Sequence, residues 1–336
     1  MIIINYIEFP NLFGGFKLDL ERTAFNFFNI EIYWYGILVT AAIVTGILYA
    51  MRKAKVYGVI ADKVFDAAMV GVVGAFIGAR LYYVIFHNLN PENETKYNFV
   101  TAITGIRDGG LAIYGGVIGA VLFAYVFMKL RKIKILPVLD LAGLGFLLGI
   151  GIGRWGNFFN QEAYGAATAG GLPWGMTGNR IAYQVGSFDP VHPCFLYESL
   201  WCVLGFFLLR YYAKKFRSFD GEIILLFIAW YGTGRMFIEA LRTDSLMLGN
   251  LRISQVLAAV SAGAAVGVLV YFKRRFKADE KYAMFCNTEE STAEIAAYDE
   301  KLRLKKEKAD AKKAMKENAP APSILAEEDG NDGENS

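Results

Sequence analysis

The run Leu136-Pro137-Val138-Leu139-Asp140-Leu141-Ala142-Gly143-Leu144-Gly145-Phe146-Leu147-Leu148-Gly149-Ile150-Gly151-Ile152-Gly153 carries a single charge, Asp140. It is followed at once by Arg154-Trp155-Gly156-Asn157-Phe158-Phe159-Asn160-Gln161-Glu162-Ala163-Tyr164-Gly165. As a helix the first part approaches the ~20 residues that cross roughly 30 Å of hydrocarbon. The second part brings an arginine, two asparagines and a glutamate to its end. Charge placed there is expensive and is usually retained for function.

Similar apolar runs recur at 32–51, 64–86, 109–128, 195–213, 222–241 and 253–272. A backbone this apolar satisfies its hydrogen bonds in lipid only as a helix, so the chain is expected to be an all-α polytopic membrane protein with seven transmembrane helices. The composition agrees, with 55% hydrophobic residues against about 45–50% for soluble domains.

Basic residues set the orientation. Arg52-Lys53-Ala54-Lys55, then Lys129 to Lys134, then Lys214 to Arg217, then Lys273 to Lys277 follow alternate spans. The positive-inside rule makes that side cytoplasmic, which leaves the N-terminus and the loops 87–108, 154–194 and 242–252 outside and the C-terminus inside. Three parts are expected: an extracytoplasmic segment 1–31, a membrane domain 32–272, and a charged cytoplasmic tail 273–336, part helical at most and otherwise disordered. Met1-Ile2-Ile3-Ile4-Asn5 lacks the basic-then-apolar pattern of a cleaved signal peptide.

Cysteines Cys194, Cys202 and Cys286 and histidines His87 and His192 form no CxxC or Cys/His cluster, so neither a metal nor a cofactor is expected. No nucleic-acid partner is expected either. Gly149-Ile150-Gly151-Ile152-Gly153 does not match a dinucleotide fingerprint and ends a span rather than a strand. The glycines within the spans fit close helix packing. Asp66 and Asp140 are read as helix-start residues.

The polar residues at the outer ends of the spans carry the chemistry. They are Tyr33-Trp34-Tyr35, Arg80, Tyr114, Arg154 with Asn157, His192 with Glu198, and Arg235, Glu239 and Arg242. Arg235, Glu239 and Arg242 are spaced by four and seven from Arg235, which predicts one helix face. Each has a bland alternative: the aromatic belt for Tyr33 to Tyr35, interfacial anchoring for Arg80 and Arg242, an intrahelical ion pair for Arg235, packing for Tyr114, capping for His192. Several guanidiniums in an apolar cavity suit a lipid phosphate. That reading leaves open whether the lipid is bound, moved or cleaved. A transporter would show paired broken helices in a repeat, and none is evident. An intramembrane hydrolase would need a serine with a positioned histidine, and Ser199 lies on a different face from Glu198.

The stretch Gly153–Gly165 resembles the signature of prolipoprotein diacylglyceryl transferases. So do Trp34-Tyr35-Gly36, Asp108-Gly109-Gly110 through Gly116, His192-Pro193 through Glu198, Tyr231-Gly232 through Arg242, and Arg252-Ile253-Ser254-Gln255. The blocks keep the family's order over roughly 32–272. The resemblance implies a bacterial inner-membrane enzyme whose site faces the outer leaflet. It would move the diacylglyceryl group of phosphatidylglycerol to the lipobox cysteine of a preprolipoprotein, forming a thioether and releasing glycerol phosphate. It also implies that Arg154 binds the lipid phosphate and that Arg235 is a second essential cation. Asn157, Glu162 and Gly165 would shape the signature loop, Tyr35 would line the cavity, and Glu239 with Arg242 would position Arg235. Two departures stand out: Tyr114 occupies a position where many members carry histidine, and Tyr33 one where some do. Tyr114 is expected to hydrogen-bond the thiol or the phosphate, since a tyrosine with a pKa near 10 is a poor base at neutral pH.

Overall fold

The computed structural model describes residues 5–317 apart from 29, 92, 94, 99, 102–104, 106–108, 169–170, 244–246 and 250. Asp108 and residues 318–336 therefore lie outside the described residues.

Seven described helices are long and apolar enough to cross a membrane. They are α1 (Trp34–Lys53), α2 (Ala61–Leu89), α3 (Ile113–Leu130), α4 (Ile135–Asn160), α6 (Cys194–Lys215), α7 (Glu222–Leu241) and α8 (Ile253–Ala278). A short α5 (Asn179–Val185) lies between α4 and α6. The chain is thus a multi-pass membrane protein.

Helix α4 is the axis of the bundle. Half of its most apolar window is buried inside the protein, and it packs against α1, α6 and α7. Leu141, Leu144 and Leu147 recur at helical spacing and lie in the main core with Cys202, Phe206 and Ile223. Helices α2 and α3 pair closely because small residues let their backbones meet. A Cβ on Gly78 would stand 2.3 Å from the Gly115 carbonyl oxygen.

The polar cap over one end of the bundle comes from both sides of α1 in sequence. Strands β1 (Tyr6–Phe9) and β2 (Phe16–Asp19) form an antiparallel hairpin. β1 also pairs with β5 (Thr177–Gly178), with Ile7 opposite Gly178, which ties residues before α1 to the loop after α4. Beneath this sheet Ile7, Phe158, Met176, Ile181, Val191 and Phe195 form a second core. A hairpin of β3 (Thr23–Phe27) and β4 (Ile30–Tyr33) leads into α1. A smaller one, β6 (Met247–Leu248) with β7 (Leu251–Arg252), leads into α8.

Two expectations need correction. Helix α4 does not stop at Gly153 but continues to Asn160, so Arg154 and Asn157 are helical residues. The extra two turns are held by aromatic packing, with Phe159 stacked on Trp34 at 5.1 Å and Trp155 and Phe158 set against Phe195. The helix ends where Gln161 turns left-handed at φ 52°. Asp140 does not start its own helix. It lies past the first turn of α4, fully buried, and its carboxylate accepts the backbone N–H groups of Gly221, Ile223 and Ile224 at the start of α7. Asp66 likewise lies inside α2, where Asp62 occupies the first turn.

The tail was expected to be part helical, and within it Glu289–Glu317 forms one helix, α9. Its acidic first half meets the basic loops of the bundle. Lys134 pairs with Glu290 at 3.0 Å, Lys63 with Glu294 and Lys55 with Asp299. Tyr298 donates to Asp62 at 2.7 Å, and buried Ser291 donates to the Gly58 carbonyl at 2.9 Å. Charge complementarity and the burial of Phe285 hold a segment that hydropathy alone marks as solvated.

Candidate active site

The polar residues converge around Glu198. It stands in the second turn of α6, is only 2% exposed, and is the only acid of that helix. Arg154 from α4 donates through Nη2 to Glu198 Oε1 at 2.6 Å, and Arg235 from α7 donates through Nη1 to Oε2 at 3.0 Å. Tyr231, one turn before Arg235, donates to Oε1 at 2.8 Å. Arg235 also pairs through Nη2 with Glu239, one turn further along α7 and equally buried. Two guanidiniums and two carboxylates thus form a chain that balances its own charge. Breaking a buried pair of this kind costs about 3–5 kcal/mol, because it strands the remaining charge.

A second set of contacts shapes the loop after α4. Arg154 Nη1 reaches Asn157 Oδ1 at 3.5 Å, the weak outer limit of a hydrogen bond. Asn157 and Asn160 donate to Glu162 Oε1 at 3.0 and 3.1 Å. Gly165 lies where three segments meet. Its N–H donates to the His192 carbonyl at 2.9 Å, and a Cβ there would stand 2.8 Å from His192 Cβ and from the Leu241 carbonyl oxygen. Any larger side chain would push α7 and the His192 loop apart. Tyr35 packs against Gly156, where a Cβ would come within 2.7 Å of its ring.

Several predicted residues fall elsewhere than expected. Arg242 does not share the helical face of Arg235 and Glu239. Helix α7 ends at Leu241, and Arg242 turns extended to bridge Gly165 in antiparallel fashion. Its backbone therefore joins the α7 end to the signature loop. Arg80 is buried within the protein. Its Nη1 donates to the carbonyls of Gly109 and Gly110 at 2.9 and 3.1 Å, clamping α2 to the loop before α3. Tyr114 is about half-exposed and makes no hydrogen bond among the described residues, so it stands outside the Glu198 network. Tyr33 donates to Glu31 at 2.7 Å, and that hydrogen bond holds its hydroxyl above the usual phenol range. His192 faces Tyr197 at 3.1 Å through Nδ1, and Tyr197 accepts from Trp174 at 2.9 Å, an arrangement that orients the loop before α6.

Comparison with known proteins decides the family. A model of prolipoprotein diacylglyceryl transferase matches residues 22–271, which contain every residue of the Glu198 network. The chain belongs to the prolipoprotein diacylglyceryl transferase family.

Its relatives cover the same region. A protein named phosphatidylglycerol–prolipoprotein diacylglyceryl transferase from Clostridioides difficile (strain 630) is 40% identical over 260 residues, 77% of this chain and 98% of that protein. The protein of the same name from Finegoldia magna is 41% identical over 263 residues, 78% of this chain and 100% of its own length. The one from Pediococcus pentosaceus is 38% identical over 261 residues, 77% of this chain and 92% of that protein. This family member thus carries α9 beyond the region that the family model matches.

Sequence reasoning placed Glu198 and Tyr231 in the family-like blocks but assigned neither a role. One signal was available. A lone acid inside an apolar span needs a cation, and the two arginines needed a shared counter-ion. Pairing between helices is not visible in linear spacing, so the hub itself was missed.

Proposed function

We propose that this protein transfers the diacylglyceryl group of phosphatidylglycerol to the thiol of a lipobox cysteine in a preprolipoprotein, the first step of lipoprotein maturation. The relatives' names supply the substrate classes. The observation that carries the chemistry is the pair of guanidiniums held side by side by Glu198.

The reaction forms a carbon–sulfur bond as the bond from the same glycerol carbon to the phosphate oxygen breaks. The thiol gives up its proton, and glycerol phosphate leaves. The diester substrate carries one negative charge, and the departing monoester becomes a dianion above about pH 6. Charge therefore grows on the phosphate as the reaction proceeds, and Arg154 and Arg235 oppose it where water is scarce. Arginine suits the task because its planar fork meets two phosphate oxygens and keeps its charge when buried. A nearby cation also favours the thiolate form of the incoming cysteine.

In this reading Glu198 and Glu239 are positioning residues that keep the two cations close and correctly turned before the lipid arrives. Asn157 and Glu162 hold the signature loop, Gly165 with Arg242 joins it to α7, and Tyr35 lines the lipid path. Tyr114 meets the thiol or the phosphate only once substrate is bound. The basic loops lie at the opposite end of the bundle, which supports a site facing the outer leaflet of the bacterial inner membrane.

The test is transfer of labelled diacylglyceryl to a lipobox peptide in detergent. Arg154→Ala is expected to lower turnover by about 10²–10³-fold, as loss of one preorganised donor to a developing anion does. Arg154→Lys is expected to recover only part of it, and near-normal rates for both variants would overturn the reading. Tyr114→Phe is expected to slow transfer, and an unchanged rate would reduce Tyr114 to packing.

A further inference from the structure

The end of the bundle opposite the arginines holds a cavity of about 970 Å³. It is bounded by the last turns of α3 and α8 and by the first turns of α4 and α7. Its walls are apolar: Leu136, Ile224, Leu225, Val268, Phe272 and Phe276 face it. The remaining side is closed by Tyr282, Phe285 and Glu290, which lie beyond residue 271 where the family match ends. Tyr282 and Phe285 are held there by Asp220. Its backbone N–H donates to the Tyr282 hydroxyl at 3.0 Å, and its carboxylate accepts from Phe285 N–H at 2.7 Å.

The rim of the cavity is basic. Lys129, Lys132 and Lys134 come from the end of α3 and the turn into α4. The acids in the lining are already engaged. Glu290 is paired with Lys134 at 3.0 Å. Burial pushes the Asp220 carboxyl above its usual range, towards the neutral form. Among the described residues Lys129 and Lys132 make no ion pair, Lys129 lying over the Tyr125 ring at 5.8 Å, so both leave positive charge over an apolar pocket at the boundary of the membrane. Apolar walls of this size call for acyl chain, and ammonium groups at that boundary call for phosphate.

We propose that this cavity is a binding site for an anionic phospholipid, with its acyl chain against Ile224, Leu225 and Phe272 and its phosphate at Lys129 and Lys132. The site is separate from the arginine cluster and lies at the other end of the bundle. Its occupant comes from the leaflet next to the basic loops. Because Tyr282 and Phe285 form one wall, a bound lipid also braces the start of the tail against α7 and α8.

The full chain in detergent, titrated with dioleoyl phosphatidic acid and read by native mass spectrometry, tests the proposal. Phosphatidic acid carries the phosphate and the acyl chains but has no glycerol phosphate to release. Lys129→Gln/Lys132→Gln is expected to weaken one lipid adduct about 25-fold, the product of roughly fivefold for each lysine near a charged surface. Leu225→Trp, which fills the cavity without touching charge, is expected to remove the same adduct. Both variants are expected to keep transfer activity, since neither touches the arginine cluster. Adducts unchanged in both variants would overturn the proposal. So would loss in Leu225→Trp with full retention in the lysine variant, or equal retention of dioleoyl phosphatidylcholine by the unaltered protein.

Discussion

Two buried carboxylates, one near each end of the bundle, do opposite work. Asp140 is fully buried and accepts three backbone N–H groups from the start of α7. Its charge is spent on the fold, where it satisfies donors that a helix start leaves orphaned. Glu198 is nearly as deeply buried but, among the described residues, accepts from side chains: Arg154, Arg235 and Tyr231. Side chains can exchange a partner for a ligand, whereas the first N–H groups of a helix cannot do so without unravelling it. A buried acid held by backbone marks structure, and one held by guanidiniums marks a place prepared for an anion.

Substitutions can break or sharpen that contrast. The largest effect is expected for Asp140→Ala. It leaves three buried N–H groups without an acceptor, and at about 1–3 kcal/mol each the loss of stability is on the order of 3 kcal/mol or more. Thermal unfolding in detergent should show the drop, while turnover per folded molecule stays near normal. Lost turnover at unchanged stability would erase the distinction between the two acids.

Glu198→Gln should cost turnover as well as stability, because it strands two buried cations. The amide keeps an acceptor but no longer neutralises two cations. Turnover is expected to fall about tenfold, or roughly 1.4 kcal/mol of barrier, with no rise in the KM for the lipid donor. Steady-state kinetics separate the two parameters. A raised KM with normal kcat would make Glu198 a lipid-binding group rather than a positioning one.

The smallest effect concerns the tail. The hydrogen bond to Asp62 pushes the Tyr298 hydroxyl up to about 12, against about 10 for a free phenol. A raised pKa means that the docked state holds this proton more tightly. The contribution is therefore complete below about pH 10 and is lost as the pH climbs through about 12. Protection of the α9 amides, taken relative to their base-catalysed intrinsic exchange, should fall over that window, and Tyr298→Phe should remove the share of the fall that the titrating lysine pairs do not account for. A protection pattern that is flat with pH in the unaltered protein would mean that this contact does not hold the helix.

The seven spans were legible from apolar length, because lipid leaves a backbone only the helix as a way to satisfy itself. Arg235 and Glu239 were legible as a pair because four residues are one helical turn. Arg242 was misplaced by the same rule, since nothing in the spacing says where a helix ends. The extension of α4 through Arg154 and Asn157 was not legible from hydropathy, because aromatic contacts with Trp34 and Phe195 replace the lipid that hydropathy measures. The docking of the tail was not legible for a related reason. Its charges read as solvation when taken alone and as docking once Lys55, Lys63 and Lys134 stand opposite them.

By itself, then, the sequence determined a helical membrane protein with cations at one end of its spans, since period and composition are properties of a single segment. Tertiary structure alone decided that Glu198 joins Arg154 to Arg235, that Asp140 caps a helix other than its own, and that the segment leading into α9 closes a cavity. Each of those facts is a meeting between segments distant in the chain, and only packing brings their charges within the few ångströms at which they act.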